Sequence, residues 1–589
     1  VAKKKPKKDR RVAVIDAETD PFKHGRVPEP FAWGFYDGER YVKFWGDDCT
    51  EHLIDFLSDI EEELIIYAHN GGKFDFFYFI RRGMIKNPLL VINGRVTKSA
   101  MFHHELRDSF AILPLPLEKL GGKKSIDYAK MERNRRERHK REILEYLEAD
   151  CFALYDKVFK FRERFGDKLT IASTAINELG KIHKNMVSRR GPTHDGAYSE
   201  REFATEYGFR RFYYGGRVEA FETGEIHSSL GALFHVYDIN SSYPKSMRDY
   251  DHPATSRYIT MGNEMLPQFD RKTGKFETLE GMYFMRFIGK NKGALPSRDE
   301  NYNLTFNKPE GEFFACSHEI EIACKYGLIE IERIIELLAP MEWGRFERFV
   351  DVFAAEKKSA KLAGDHANET FAKLILNSSY GKFASNPFKY KNWYAFNLET
   401  DSLAEFEKWK EENTIYDDDL NLISEPTLEM DIGDVELWKT PTEPNWNQFL
   451  DVAVAASITS ASRAALLEAI VTAKRPIYCD TDSLICEAIG NVKISETDLG
   501  AWKYEGSAKT VWIAGKKNYC MEIDDMEGIP QIDKNGLVKT KMATKGSRIS
   551  FDQMKRAVNG EEIFWEADAP NFRLNGEVKF VSRKIKKTA

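Results

Sequence analysis

Acidic residues in this chain recur directly after short apolar runs. Val12-Ala13-Val14-Ile15 precedes Asp16, Leu64-Ile65-Ile66-Tyr67 leads to His69-Asn70, Leu233-Phe234-His235-Val236-Tyr237 precedes Asp238, and Pro476-Ile477-Tyr478 leads to Asp480. In an extended strand residues two apart face the same way, so Asp16 and Glu18 can converge on one point. Carboxylates supply the charge and the oxygen that hard divalent cations such as Mg2+ require. The triplet alone is a weak signal, because Glu429-Met430-Asp431 and Asp434-Val435-Glu436 share its spacing in stretches that read as plain surface.

Context strengthens it. Asn70-Gly71-Gly72-Lys73-Phe74-Asp75 follows the second apolar run, and Tyr146-Leu147-Glu148-Ala149-Asp150 lies in a helical pattern that puts Tyr146 and Asp150 on one face. Acids in such a set can hold two ions for phosphodiester hydrolysis, one activating water and one steadying the leaving 3′ oxygen. The phenol can orient the water, while Asn70 and Phe74 can hydrogen-bond to and stack on a single strand. The bland alternative makes Phe74 a core residue and Asp150 a surface cap or ion-pair partner.

A second set lies further on. Asp238-Ile239-Asn240-Ser241-Ser242-Tyr243-Pro244 reads as a strand followed by a turn, and Tyr478-Cys479-Asp480-Thr481-Asp482-Ser483 as a hairpin-like acidic tip. Between them, Lys373, Asn377 and Tyr380 fall at i, i+4 and i+7, one stripe of a helix expected through Phe383. Lysine suits triphosphate oxygens, and a tyrosine ring suits base and sugar. A helix with one polar face would explain the lysine but not the whole string.

Composition bounds these possibilities. The chain has 589 residues, 42% hydrophobic and 31% charged, which excludes a disordered chain and suggests several domains. The 87 basic and 93 acidic residues give a net charge of −6, so nucleic-acid contact must use local basic surface. The seven cysteines are scattered without a C-x-x-C pair, which argues against a disulfide scaffold or a zinc site. No apolar run reads as a bilayer span. Helical patterns dominate 133–164, 343–377 and 449–472, and strand-like runs fill much of the rest, giving an α+β chain with insertions and no internal repeat. The basic stretch 3–11 and the tip 583–587 read as solvated arms, and the acidic stretch 411–436 as a surface insertion.

Taken together, Asp-x2-Ser-x-Tyr-Pro, Lys-x3-Asn-Ser-x-Tyr-Gly and Tyr-Cys-Asp-Thr-Asp-Ser, in this order, make the chain resemble the B-family DNA polymerases. Within them it looks most like the protein-primed branch and its tectivirus-type members, from about Arg11 to Lys587. The resemblance implies that Asp238 and Asp482 hold the polymerase metals, with the Ile239 carbonyl as a further ligand and Asp480 in support. Tyr243, after Ser241 and Ser242, would exclude a 2′-OH. Lys373 and Lys361 would bind the triphosphate, and Asn377, Tyr380 and Gly381 would form the base-pair pocket. Tyr213-Tyr214-Gly215-Gly216 matches an element that contacts template between the two active sites, and Lys517-Asn518-Tyr519 one that steadies the primer end. Asp16, Glu18, Asp75 and Asp150 would be the ligands of a 3′→5′ exonuclease and Tyr146 its water-orienting phenol. Thr19, Tyr67, His69, Asn70, Phe74 and Ser109 would grip the single-stranded 3′ end. Ala17 and Ser242 depart from the common residues, an aromatic and a leucine.

The implied architecture is an RNase H-like exonuclease followed by a right-hand polymerase with two terminal-protein-region insertions. The expected boundaries are 1–190 exonuclease with its basic arm, 191–249 and 448–545 palm, 250–347 first insertion, 348–386 fingers, 387–447 second insertion and 546–589 thumb. The implied cofactors are two divalent metals per active site, Mg2+ or alternatively Mn2+. The implied partners are template-primer DNA, deoxynucleoside triphosphates and a terminal priming protein. A monomer without membrane contact is expected, in the cytoplasm of a bacterial host, or in a nucleus or mitochondrion if the host is eukaryotic. Rival readings are a stand-alone nuclease whose second half grips DNA, a primer-independent polymerase of the same fold, and a scaffold with decayed sites. A reverse transcriptase would more typically show adjacent aspartates at the tip.

Overall fold

The computed structural model describes residues 10–21, 26–117, 125–187, 208–255, 257–262, 265–386, 390–416, 421–431, 434–441, 449–566, 571–572, 578–579 and 582–585. The basic residues at 3–8 and 586–587 and the Asp417-Asp418-Asp419 run lie outside the described residues.

The N-terminal unit is built on β1 (Arg11–Thr19). Val12 and Val14 join one apolar core, Ala13 and Ile15 the other, so the strand is covered on both faces. A strand buried on both sides reads as a continuous apolar run, as this one does. β1 pairs in parallel with β4 (Leu64–Ala68), which pairs in parallel with β7 (His104–Asp108). On the other side of β1 lie antiparallel β2 (Pro30–Tyr36) and β3 (Tyr41–Trp45); beyond β7 lie β6 (Arg95–Met101) and β5 (Lys86–Ile92). Helix α1 (Cys49–Ser58) follows β3, and the short helix α2 (Asp75–Ile80) follows β4. The long helix α3 (Lys140–Phe165) crosses β1 and β2 and buries Ile143, Leu147, Leu154 and Val158.

The sheet does not stop at β5. Strand Tyr390–Asn397 pairs with β5, and strands Val435–Lys439 and Thr427–Asp431 continue it to ten strands. Trp393, Val435 and Leu437 are buried in the same core as Ile15 and Leu106. The Asn87 side chain completes the join by bonding both the N–H and the carbonyl of Ala395, each at 2.8 Å. The stretch read as a surface insertion is thus stitched to the N-terminal unit by a strand edge that would otherwise be open.

The second unit centres on a five-stranded antiparallel sheet, in the order Trp502–Ala508, Phe234–Ile239, Ser483–Ala488, Lys474–Asp480, Val218–Ala220. Helix Val452–Thr472 supports it. That helix corrects the expectation that no apolar run could span a bilayer: its 21 residues reach a mean hydropathy of 1.4. The window is 83% buried inside the protein, which identifies a core helix rather than a membrane span.

The helical pattern over 343–377 resolves into two antiparallel helices, Glu347–Leu362 and His366–Ser378. They turn at Gly364, whose φ of +70° suits glycine. The side chain of Asp365 caps the second helix through the Asn368 amide. The segment between 250 and 347 forms its own four-stranded sheet with helix Ser317–Lys325, and its core reaches Leu467 on the central helix.

Candidate active sites

In the N-terminal unit, Asp16 and Glu18 come from one face of β1, and α3 crosses that strand so that Asp150 meets them. Ligand oxygens of all three lie within 4.8 Å of one another. Such a trio of hard oxygen donors fits a divalent cation. Asp75, at the start of α2, is outside this trio but adjoins Asp16. It is 3% exposed and accepts hydrogen bonds from its own amide and that of Ala17. Burial first, then the Asp16 charge, pushes its carboxyl well above the usual carboxylate range. Tyr146 lies one turn before Asp150, its hydroxyl 3.4 Å from that of Tyr128, and burial raises its phenol.

A cleft runs over these groups, bordered by Thr19, His69, Asn70, Lys73 and Phe74. The His69 ring is held between the Ser109 hydroxyl at 2.9 Å and the Leu115 carbonyl at 3.0 Å. Ser109 is fully buried, so it reaches the cleft through His69 rather than by itself. Tyr67 does not line the cleft: it is 1% exposed and its hydroxyl accepts from Arg107 at 3.2 Å. Three neighbours escape the motif reading. Lys73 lines the cleft. Arg95 donates to Asn70 Oδ1 at 2.7 Å, and pairs with the buried Asp108. Asp108 also accepts the amides of Gly72 and Phe110, fixing the loop that carries Asn70. No local spacing pointed to this contact, since Arg95 and Asp108 lie on different strands.

In the second unit, Asp238 ends strand Phe234–Ile239, and Asp482 lies in the turn joining Lys474–Asp480 to Ser483–Ala488. Asp238 sits opposite Ser483, and the Ile239 amide donates to the Asp482 carbonyl at 2.8 Å. Burial and the Asp482 charge push the Asp238 carboxyl up to about 7; burial and the Asp480 charge push Asp482 up to about 6. Paired carboxylates this reluctant to ionise fit a site that gains from a bound cation. Glu505 adds to the repulsion at both. It occupies a bulge opposite Val236/Tyr237, which re-aims it toward the pair. Sequence spacing gave no sign of it.

Asp480 is engaged differently. Both its oxygens accept from Lys517 Nζ at 2.8 Å, and Tyr478 donates to it at 3.4 Å. The Lys517 amide donates in turn to the Tyr478 hydroxyl, and Tyr519 packs 4.8 Å from the Tyr478 ring. Tyr243 and Tyr380 stack with centroids 4.2 Å apart. The expected single stripe is corrected here. The helix ends at Ser378, so Lys373 and Asn377 share it while Tyr380 and Gly381 sit in a following 3-10 turn. Ser241, at φ +60°, starts helix Ser242–Asp249. The buried Ser242 hydroxyl meets Ser462 at 2.8 Å, which gives the polar residue a partner where an apolar one was expected. Lys361 and Lys373 are exposed and crowd the half-buried Lys357, whose ammonium pKa is lowered by burial and then by Lys373. Lys357, one helical turn before Lys361, is a third cation on this face. Tyr213 and Gly381 border a second cleft whose far wall is Lys73, Arg95 and Phe110 of the N-terminal unit.

The family described as DNA polymerase type B, organellar and viral, matches residues 122–483. The chain is 40% identical over 595 aligned positions, 98% of each chain, to the DNA-directed DNA polymerase of Enterobacteria phage PRD1. It is 24% identical over 482 positions, 77% of this chain and 74% of the other, to the DNA polymerase of Bacillus phage Nf. Among solved structures, Phi29 DNA polymerase complexed with primer-template DNA and incoming nucleotide superimposes with a TM-score of 0.69 at 18% identity, covering 98% of this chain and 100% of that one.

Proposed function

The chain belongs to the organellar and viral type B DNA polymerases, and we propose that it copies DNA from deoxynucleoside triphosphates, begins on the hydroxyl of a separate terminal protein, and proofreads with its N-terminal unit. The observation that carries the polymerase reading is the convergence of Asp238 and the Asp482 turn at one end of the five-stranded sheet, beside the Tyr243–Tyr380 stack. Polymerases of this family use divalent metals; two per site, Mg2+ or Mn2+, would be held by Asp238, Asp482 and the Ile239 carbonyl, and by Asp16, Glu18, Asp150 and Asp75. When bound, they would supply charge neutralisation, a more acidic attacking hydroxyl or water, and a stabilised leaving group.

The chain's own residues do the positioning. Lys357, Lys361 and Lys373 neutralise the triphosphate from the helical hairpin. Tyr243 closes the space a 2′-hydroxyl would need, and Tyr380, with Asn377 and Gly381, forms the face against which the new base pair is judged. Lys517 holds Asp480 aside from the reacting pair and steadies the primer end with Tyr519. In the N-terminal unit Thr19, Asn70 and Phe74 grip the frayed 3′ end, with His69 braced by Ser109, while Tyr146 orients the attacking water. The cleft between Tyr213 and Arg95 offers a path between the two sites.

The boundaries expected from sequence stand as proposals, with the strands Tyr390–Asn397, Thr427–Asp431 and Val435–Lys439 of the second insertion also serving as an extension of the exonuclease sheet. The terminal protein, as partner, is supported by the family. A working place in the bacterial cytoplasm fits the phage relatives.

The decisive assay is a separation of activities. Asp482→Ala should abolish nucleotide addition and leave single-strand degradation intact; Asp16→Ala with Glu18→Ala should do the reverse. One change that removed both from a folded protein would defeat the two-site reading. Transfer of labelled nucleotide onto a candidate terminal protein tests the priming mode, and synthesis with neither primer nor protein would favour the primer-independent rival.

A further inference from the structure

Beside the exonuclease cleft lies another polar cleft of about 420 Å³, within the size range of small-molecule sites. Five guanidiniums line it, those of Arg26, Arg81, Arg82, Arg133 and Arg136. Four of them have carboxylate partners. Arg26 pairs with Asp20, Arg82 with Glu51 at 2.7 Å, and Arg133 and Arg136 share Asp47 at 3.1 and 2.8 Å. Arg81 is exposed and has no ion-pair partner among the described residues. With Glu29 also on the wall, five guanidiniums meet four carboxylates, and the excess is positive. The stretch 133–141 beside it carries six cations and one acid in nine residues, in a chain whose net charge is −6.

The sheet order puts this cleft on the far side of Asp16 and Glu18 from the second unit. The strands run β6-β7-β4-β1-β2-β3. The cleft shared with the second unit is bordered by Arg95 of β6 and Phe110 after β7, and it meets the exonuclease cleft at Lys73. The arginine cleft is bordered by Pro30 of β2, Asp47 after β3 and Thr50 of α1, and it meets the exonuclease cleft at Asp20, two residues after Glu18. β1, which carries both acids, lies between them. Arg81 follows α2, six residues or about 9 Å of helix from Asp75.

A strand that frays from the second unit enters on the Lys73 side, so its 3′-terminal nucleotide is the part nearest the arginines. Hydrolysis changes the charge there. The water oxygen joins phosphorus, and the bond to the 3′ oxygen of the preceding nucleotide breaks. That oxygen takes one of the water's protons, the other leaves to solvent, and the released nucleotide keeps the 5′-phosphate. A diester with one negative charge becomes a monoester with nearly two. Guanidiniums stay charged at every working pH and match phosphate oxygens two at a time. We propose that the arginine cleft is a product site, which takes the deoxynucleoside 5′-monophosphate as it leaves the exonuclease. Arg81 anchors it, because the other four guanidiniums already hold carboxylates. The inference rests on the exonuclease roles given to Asp16 and Glu18.

Equilibrium dialysis of radiolabelled 5′-dAMP against the full chain tests it. EDTA is present, so that the acidic sites hold no metal and repel the phosphate. The protein should bind the nucleotide, and deoxyadenosine, which lacks the phosphate, should not compete. Arg81→Gln should weaken binding about tenfold, matching the loss of one charge-assisted hydrogen bond. With Mg2+ restored, added 5′-dAMP should slow the degradation of single strands, and the variant should need about tenfold more of it for the same effect. Unchanged 5′-dAMP binding in the variant would overturn the proposal. So would a variant that loses its grip on a short single strand but not on 5′-dAMP, because the cleft would then serve the strand and not the product.

Should Arg81→Gln lose its cooperative melt, Arg133→Gln takes its place, at a side chain 72% exposed. It should show the same loss, and normal 5′-dAMP binding in that folded protein would likewise overturn the proposal. Asp16→Ala with Glu18→Ala, run beside them, separates the two levels. If it still degrades single strands, the exonuclease reading fails; if it does not and the arginine variants bind 5′-dAMP normally, only the product site fails.

Discussion

Gly216→Ala offers a sharp test of how closely the Tyr213–Gly216 loop and the acidic turn are fitted. A methyl group on Gly216 would lie 2.6 Å from Thr481 Cγ2, 2.7 Å from Oγ1 and 3.0 Å from Cβ. Ordinary carbon contacts lie near 3.5–4.0 Å, so the pair must separate by about 1 Å. Rotating the threonine does not solve this, because its Cβ is itself too near. Its backbone is also pinned: the amide is held by the Arg217 carbonyl, and φ is already +60°, unfavourable for a β-branched residue. The turn therefore moves and carries Asp482 with it. A displacement of about 1 Å in a catalytic group costs about 100-fold in rate, or about 2.7 kcal/mol of barrier.

The assay is single-turnover addition of one nucleotide to a primed template, with single-strand degradation as the control for folding. Adding Thr481→Gly removes all three clashing atoms and suits the positive φ, so the double variant should recover at least part of the loss. If Gly216→Ala adds nucleotide within threefold of the unsubstituted protein, or loses both activities equally, the proposed coupling of loop to turn is refuted.

Other outcomes follow from the same geometry. If Tyr243 excludes a 2′-hydroxyl as proposed, Tyr243→Val should raise ribonucleotide use relative to deoxynucleotide by about 10–200-fold, read from paired kcat/KM values. Arg95→Met leaves Asp108 buried without its cation and should destabilise the N-terminal unit by about 3–5 kcal/mol in denaturant melts, with weakened single-strand binding as Asn70 loses its brace. His252, buried between Ser246, Ser457, Phe346 and His318, has its pKa lowered to about 3 by burial and then by His318. The unfolded chain then binds the proton first, so stability is full above about pH 6.5 and falls as pH drops toward 3, by about 2 kcal/mol at pH 5. Urea midpoints at the two pH values should show at least this slope, and His252→Gln should reduce it by about that amount, leaving the share of His318, which burial lowers to about 4.

The sequence alone carried the identity of the chemistry. The strand acids at 16, 18 and 238, the acidic turn at 482 and the lysine-asparagine pair on one helix face are local patterns. A strand repeats every two residues and a helix every 3.6, so side chains that share a face can be counted without knowing the fold. The order of three motifs was enough to point to the family. What the sequence could not carry were contacts between distant residues made by irregular or bulged backbone. Glu505 faces Asp238 because of a strand bulge, and the Tyr380 ring reaches Tyr243 because the helix stops at Ser378. Strand Tyr390–Asn397 extends the sheet by pairing with β5, about three hundred residues earlier in the chain, and Arg463 joins a core helix to an insertion and a loop. Each of these depends on which open edge, unsatisfied carbonyl or buried charge happens to lie nearby after folding. That is a property of the packed molecule, and no local spacing encodes it.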